Sequence, residues 1–217
     1  MAVITISRQY GSGGDEITAQ VCKMLGYRHF DKRLMAQMAA EVGLSEDEVI
    51  DFSEDNYRMQ GFLDRLLGRR LAPRAAQSDP LQVAIAGPKV KEVERMDEDY
   101  SLTLIQSTIH AAYEQGNVVI VGRAGQAILK EKSDVLHVRI GAPYKARVER
   151  LCQRQNYSLA GAKDAAIKHD RASAEYLRRF YDIDWADPIL YDLVINTNKL
   201  NIEAAAHLIV NSVGYLP

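Results

Sequence analysis

The sequence contains little cysteine: two residues, Cys22 and Cys152, lie far apart and form no C-x-x-C pair. A disulfide framework of the extracellular kind is therefore not expected, and both thiols are predicted to stay reduced in the cytoplasm. The chain also lacks an apolar run long enough to cross a bilayer, and its amino terminus enters a strand with no cleavable apolar segment before it. We expect a soluble, unprocessed cytoplasmic protein.

A strong charge of either sign is absent as well, because the formal net charge is -2. The composition therefore gives no overall reason to bind nucleic acid or an anionic membrane, and any site for a polyanion must be a local cluster. With 217 residues, of which 47% are hydrophobic, the chain is long enough to bury a real core. It is predicted to be one large domain or a core with an inserted subdomain.

Three glycines, Gly11, Gly13 and Gly14, mark the first turn of the chain. They follow a short β-branched strand over residues 2–6 and precede apolar residues at helical spacing, so they are placed where a buried strand turns into a helix. Backbone N–H groups in such a turn, together with the positive end of the helix dipole, hold an anion without a specific side chain. The turn is a candidate phosphate site.

The turn departs from the phosphate-loop pattern G-x-x-x-x-G-K-[ST]. When Gly13 is aligned with the last glycine, Arg8 stands at the first glycine, Gly14 stands at the lysine, and Asp15 and Glu16 follow. Two interpretations stay open on these residues alone. The segment is either a degenerate phosphate turn or a flexible turn before a helix that begins with acids.

Strands alternate with helices along the rest of the chain, which predicts an α/β layer fold with a mainly parallel sheet. Residues 58–95 look like a surface excursion or a small inserted subdomain that covers a substrate, and Ser158 to Arg179 is predicted as two helical pieces. Crossovers of the usual hand would bring the glycine turn, Asp31 and Arg123 to one rim of the sheet. The predicted strands are 2–6, 27–30, 118–121, 135–140 and 193–196.

A basic helix follows the fourth strand and carries Arg147, Arg150 and Arg154. Because they are three and four residues apart, their side chains project from one face. Such a face is either an ordinary solvated surface or a site for a polyanion. Asp31 has a similar pair of interpretations, since it is suited to cap a helix and also ends the second strand.

Several motifs in one order resemble the cytidylate-kinase-like family of phosphate-loop nucleoside monophosphate kinases, nearly from end to end. The resemblance implies a three-layer P-loop NTPase or nucleoside monophosphate kinase fold, with a five-stranded parallel sheet in the order 2-3-1-4-5. It also implies a single kinase-like domain over residues 1–217, with a monophosphate-binding region at 58–95 and a lid-like helical region at 145–180. The motifs are Ile4–Gly14, Phe30–Lys32, Val118–Arg123, Asp170–Arg171, Trp185–Pro188 and Tyr191–Thr197.

The resemblance also implies roles for individual residues. The donor phosphates would be held by the glycine turn, the acceptor by Asp31 and Arg123, and the transferred group would be neutralised by arginines of the lid region. ATP is the expected co-substrate and Mg²⁺ the expected metal. The implied donor-phosphate residues are Gly11, Ser12, Gly13 and Gly14, and the implied lid residues are Arg147, Arg150, Arg154 and Asp170.

Departures from true cytidylate kinases give three further expectations. The loop lysine is missing, so Arg8 is predicted to supply part of its charge, or else to pair with a nearby acid such as Asp15. Glu16 stands where a hydroxyl would contact the metal. Its carboxylate is expected to bind Mg²⁺, which would then lie between this acid and the phosphates. Ser173 replaces a lid arginine, for which Arg171 and Arg178 are the two candidate substitutes.

The function expected from these features is an ATP-dependent transfer of a phosphoryl group to a nucleoside monophosphate, with CMP as a candidate acceptor. The alternative is a regulator that binds a nucleotide or phosphate and keeps the kinase fold without efficient catalysis. The expected partners are nucleotide substrates, with neither nucleic acid nor a membrane, and the sequence leaves a homodimer open.

Overall fold

The structure is a computed structural model that describes residues 2–30, 102–103 and 105–217. Contacts within the chain divide it into two units, the first made of Met1–Leu34 with Ile109–Pro217 and the second of Met35–Thr108. The sheet and the candidate site below belong to the first unit. The prediction of a monophosphate-binding region at 58–95 falls outside the described residues.

Five strands form one parallel sheet in the order β2-β3-β1-β4-β5, which confirms the predicted fold. The central strands are β-branched and buried on both faces, as expected for a parallel sheet covered by helices. The carboxyl ends of β1 and β3 therefore lie side by side. The strands are β1 (Val3–Arg8), β2 (Arg28–Phe30), β3 (Val118–Val121), β4 (Val135–Gly141) and β5 (Leu193–Asn196).

Helices connect the strands of the first unit. The prediction of two helical pieces between Ser158 and Arg179 was wrong, because one helix runs through the whole segment. Ser158 caps it by accepting a hydrogen bond from the Gly161 N–H, and no proline or glycine interrupts it beyond that first turn. The helices are α1 (Gly14–Leu25), α2 (described over residues 105–115), α3 (Gly125–Ile128), α4 (Tyr144–Gln155), α5 (Leu159–Tyr181) and α6 (Ile202–Val213).

Alternate side chains of β1 meet different layers of the fold. Ile4 and Ile6 lie in the main core with buried residues of α1 and α6. Thr5 points to the other face, where α3 approaches so closely that a Cβ on Gly125 would lie 3.1 Å from the Thr5 Cγ2. Helices therefore cover both faces, and β1 delivers its last residue, Arg8, to the rim between them.

Helix α4 packs along α5 through a small apolar cluster of its own. Val148 and Leu151 of α4 contact Ala162 and Ala166 of α5, and all four side chains are buried. Because small residues on α5 allow a close approach, the polar side chains one turn beyond this cluster are held in a fixed relation to α4. One of those side chains is Asp170.

His137 on β4 gives the fold a pH dependence. Its ring is buried, the Nδ1 atom lies 2.7 Å from the Thr5 Oγ1, and burial lowers the pKa of the ring although the charge of Asp192 opposes that change. Below the pKa of an unfolded histidine, about 6.5, the unfolded chain binds a proton that the folded chain does not. The contribution of His137 to the free energy of unfolding is therefore fully present above about pH 6.5. It falls as the pH is lowered, by up to about 1.4 kcal/mol per pH unit.

Replacing His137 by Gln should flatten that pH dependence, because the buried ring no longer has to stay neutral. Thermal melts at about pH 7.5, 6.5 and 5.5 would measure it. The matched control is His207→Gln on α6, where the side chain is exposed, and this variant should keep the wild-type loss of melting temperature. A His137→Gln protein that loses stability as steeply as the wild type would contradict the assignment.

Candidate phosphate-binding site

The glycine turn joins β1 to α1 with two residues in the left-handed region. Gly11 has φ +76° and Gly13 has φ +84°, and the N-cap residue Gly13 has no side chain that could accept from the first N–H groups of α1. The first N–H groups of a helix have no acceptor within the helix, so this end of α1 presents unpaired donors. Those donors and the helix dipole together form an anion-binding end. This geometry is the one that an anion-binding turn needs, and the phosphate-site interpretation stays a prediction.

Ser12 lies at the centre of the turn and is fully buried. Its N–H donates to the Gln9 carbonyl oxygen at 3.1 Å, while its own carbonyl oxygen accepts from the Thr197 hydroxyl at 2.7 Å. Its side-chain Oγ has no hydrogen-bond partner among the residues that the structure describes. A buried hydroxyl without a partner costs free energy, which a bound polar ligand would recover.

Helix α4 directs its arginines at the turn. Arg147 donates to the Tyr10 carbonyl oxygen at 3.0 Å, and Arg150 donates to the Ser12 carbonyl oxygen at 3.0 Å and to the Thr197 Oγ1 at 2.8 Å. Arg154 forms an ion pair with Glu16 at 2.6 Å. The spacing that sequence analysis identified thus brings all three guanidinium groups against the backbone or the acids of the turn.

Asp170 closes a small network with Arg147 and the turn. One carboxylate oxygen accepts the Tyr10 N–H at 3.0 Å, and the other lies 2.9 Å from the Arg147 Nη1. Burial raises the pKa of Asp170, and the hydrogen bond from Tyr10 and the charge of Arg147 offset part of that rise. Tyr10 and Arg147 both favour the ionised carboxylate, and the network fixes Tyr10 between α4 and α5.

The acids that follow the glycines are each paired with an arginine. Arg8 donates from its Nε to Asp15 at 2.7 Å, with side-chain exposures of 31% for Arg8 and 65% for Asp15. Glu16 pairs with Arg154, and both side chains are about half exposed. Exposed pairs of this kind contribute less than about 1 kcal/mol, so a polyanion or a cation could separate them at little cost. The alternative in which Arg8 pairs with a nearby acid is thus present in the structure.

The remaining predicted residues are Arg171, Arg123 and Asp31. Arg171 is exposed and pairs with Glu175 one turn along α5. Arg123 follows β3 in a left-handed conformation, φ +56°, and its positive charge partly offsets the raised pKa that burial gives Tyr176. Asp31, the other predicted acceptor residue, is outside the described residues.

Sequence reasoning missed Thr197, which accepts from Arg150 and donates to the turn. It lies in a motif that carries the family resemblance, but no role was assigned to it. A second group was also missed: the Trp185 Nε1 donates to the Ser7 Oγ at 2.6 Å, and the Arg139 guanidinium lies 4.4 Å from the Trp185 ring centroid. These contacts tie the segment before β5 to the end of β1.

Two features are absent from the described residues: a cluster of metal ligands and a helix that could span a membrane. Within residues 2–30, 102–103 and 105–217, no group of three His, Cys, Asp or Glu side chains is arranged to hold a metal. Mg²⁺ in phosphoryl-transfer sites usually takes one or two carboxylates and completes its shell with phosphate oxygens and water, so Asp15 and Glu16 offer suitable donor atoms. In the same part of the chain, every helix is too short or too polar to cross a bilayer.

A parallel sheet in this order, with helices on both faces and a glycine turn after its central strand, has the fold of the phosphate-loop kinase class. The model of the cytidylate kinase-like family matches residues 3–199. The chain belongs to that family, and both the family and the fold support a kinase function.

Individual relatives agree with that placement. The cytidylate kinase of Pyrococcus horikoshii is 26% identical over 215 residues, which cover 99% of this chain and 89% of that protein. The cytidylate kinase of Methanocaldococcus jannaschii is 25% identical over 218 residues, which cover 99% and 98%. A crystal structure of an uncharacterized protein from Eubacterium ventriosum superimposes with a TM-score of 0.63 at 17% identity, covering 99% of both chains, and this likeness concerns the fold.

Proposed function

We propose that the protein is an ATP-dependent phosphotransferase that moves the terminal phosphoryl group of ATP to a nucleoside monophosphate, with CMP as the first acceptor to test. The observation that carries the proposal is the convergence of Arg8, Arg150 and Arg154 on an uncapped glycine turn. Phosphoryl transfer requires positioning and neutralisation of the phosphate oxygens more than a covalent catalyst. The names of the cytidylate kinases to which the chain is similar support CMP as the acceptor.

In this proposal the N–H groups after Gly13 hold the donor phosphates, and the unpartnered Ser12 hydroxyl donates to one of their oxygens. Arg154 leaves its weak pair with Glu16 and turns to the phosphates, while Arg8 stays paired with Asp15 through its Nε. The Glu16 carboxylate so released would help to hold Mg²⁺, which when bound neutralises charge on the donor phosphates. Arg123 and Asp31 contact the acceptor, and the region 145–180 closes over the donor.

Asp170 and Arg147 have a supporting part in the same scheme. Their network holds the Tyr10 backbone and thereby the first half of the turn, so the donor site is formed before the nucleotide binds. A site built in advance loses less conformational entropy on binding. Arg171 is paired with Glu175 in the structure. Its side chain would have to leave this pair and adopt another rotamer to reach the transferred group.

Steady-state turnover with Mg²⁺-ATP and a panel of CMP, dCMP, UMP, AMP and GMP tests the proposal. ADP release coupled to one pyrimidine monophosphate, well above release without acceptor, is the expected result. Release with no member of the panel would contradict the assignment. Mass spectrometry of the acceptor separates true transfer from hydrolysis of ATP, because only transfer adds a phosphate to the monophosphate.

A second function is favoured by a specific feature: the described arginines of the turn are engaged by protein groups, and position 14 lacks the loop lysine. A protein of that kind could bind a nucleotide and report it without transferring a phosphate. Calorimetry decides between the two. Tight ATP binding with no turnover across the panel would support the regulator, and binding with turnover would remove it.

A further inference from the structure

Arg8 passes directly over Gly14. A Cβ added to Gly14 would lie 2.6 Å from the Arg8 Cβ and 2.8 Å from its Cγ. These two atoms are close to the Arg8 backbone and cannot move away as the end of a long side chain could. Residue 14 therefore has no room for a side chain while Arg8 follows this path, and the two positions exclude one another.

The same two positions are exchanged with respect to the phosphate-loop pattern. The pattern has a glycine at the position of Arg8 and a lysine at the position of Gly14. In the usual arrangement, the lysine reaches the β- and γ-phosphates from the start of the helix. In this chain the cation is Arg8, which leaves the end of β1 and passes over Gly14, the first residue of α1. Gly14 occupies the position of the pattern's lysine.

The end of the Arg8 side chain is placed at the rim of the sheet. Its Nε donates to Asp15, and this is the one hydrogen bond of that side chain within the part of the protein that the structure describes. Its Nη1 lies 3.5 Å from the position of a Cβ on Gly122, just after β3. Asp15 thus holds the guanidinium at Nε, and Nη1 lies beside the end of β3.

We propose that Arg8 is the cation of the phosphate turn and that residue 14 is a glycine because Arg8 crosses it, so that the two positions form one exchanged pair. The ligand is the polyphosphate of a nucleoside triphosphate. Asp15 is a positioning residue that orients Arg8. The inference rests on the proposed donor site, but it requires neither an acceptor nor turnover.

Binding of ATP and of inorganic tripolyphosphate, measured by calorimetry without acceptor, tests the pair. Arg8→Gly should weaken both by about tenfold, because it removes a charge-assisted contact. Gly14→Ala should weaken both by about tenfold in the presence of Arg8, since its methyl group displaces the arginine stem. In the Arg8→Gly background, the same Gly14→Ala change should have no further effect.

The double variant Arg8→Gly/Gly14→Lys restores the usual arrangement and should recover binding to within about threefold of the wild type. Arg8→Lys should keep most of the binding, and Lys130→Ala, which removes an exposed cation outside the turn, should keep all of it. Melting temperatures identify any variant that fails to fold. If the lysine variant does not fold, the Gly14→Ala comparison in the two backgrounds decides alone.

The exchanged pair would be overturned if the losses of affinity in Arg8→Gly and Gly14→Ala added up in the combined variant. It would also be overturned if Arg8→Gly/Gly14→Lys bound no better than Arg8→Gly. A wild-type protein that binds neither ATP nor tripolyphosphate would overturn it together with the donor site. Failure of the kinase proposal gives a different result. Turnover is then absent, while Arg8→Gly/Gly14→Lys still recovers the affinity for ATP and tripolyphosphate. The two ideas can therefore fail separately.

Discussion

The Arg147→Ala variant is expected to melt about 6 to 12 °C below the wild type, corresponding to a loss of about 3 kcal/mol in the free energy of unfolding. The Arg147 side chain is 6% exposed and that of Asp170 is 19% exposed, so the ion pair is largely desolvated. Removal of the guanidinium leaves the Asp170 carboxylate without its charge partner and leaves the Tyr10 and Ala142 carbonyl oxygens without its donors. Differential scanning calorimetry measures the change.

The loss should shrink as the pH is lowered. Without Arg147, burial raises the pKa of Asp170 further above its unfolded value, and stability linked to such a group is present at low pH and is lost as the pH rises through the folded pKa. Arg147→Met/Asp170→Asn should recover much of the loss at neutral pH, since neither side chain then carries a buried charge.

Arg171→Ala is the matched control for this stability measurement. It removes an arginine from an exposed pair on α5, where the side-chain exposures are 73% for Arg171 and 42% for Glu175. Its free energy of unfolding should change by no more than about 0.5 kcal/mol. An Arg147→Ala protein that melts with the wild type but loses turnover would show that Arg147 acts on the substrate and not on the fold.

Gly13→Ala is expected to weaken ATP binding by about thirtyfold, equivalent to about 2 kcal/mol. Gly13 has φ +84°, which costs an alanine about 1 to 2 kcal/mol, and the added Cβ would lie 2.8 Å from the Ile202 Cδ1. The turn can relieve this strain by leaving the left-handed region, but it then turns its N–H groups away from the bound phosphates. Calorimetric titration with ATP gives the affinity.

Gly26→Ala is the control because it has nearly the same backbone cost and lies at the other end of α1. Gly26 has φ +68°, and no described atom lies within 4 Å of an added Cβ. Both variants should lose about 1 kcal/mol of stability, and Gly26→Ala should bind ATP like the wild type. Equal ATP affinities in the two variants would mean that the glycine turn is not the donor site.

Much of the fold could be predicted from local patterns in the sequence. Val118–Val121 and Leu193–Asn196 were predicted with the bounds that the structure has, because apolar and largely β-branched runs specify buried strands. The end of β1 was set too early, since Ser7 and Arg8 do not look like strand residues and are held in the ladder by β4. The long helix α5 was divided for a related reason: its polar composition hides a continuous face that only its packing against α4 reveals.

The candidate site was predicted less completely than the fold. Arg147 and Arg150 were identified by their common helix face, but no local pattern indicates that one meets Asp170 and the other meets Thr197. These partners are distant in sequence and become neighbours only when α4 packs against α5 and the end of β5. Their roles in catalysis, like that of Arg171, stay predictions.

The sequence by itself determined which residues could form a phosphate site: a strand, three glycines, a helix start and a basic helix face, all set by φ preferences and by the 3.6-residue period of the helix. Tertiary structure decided how the charges pair, because side chains from separate elements meet only through packing. It placed Arg8 over Gly14, so that the stem of the arginine and any side chain at residue 14 would need the same space. That steric exclusion, which no local pattern contains, is the physical reason why the missing lysine and the extra arginine are one feature of this protein.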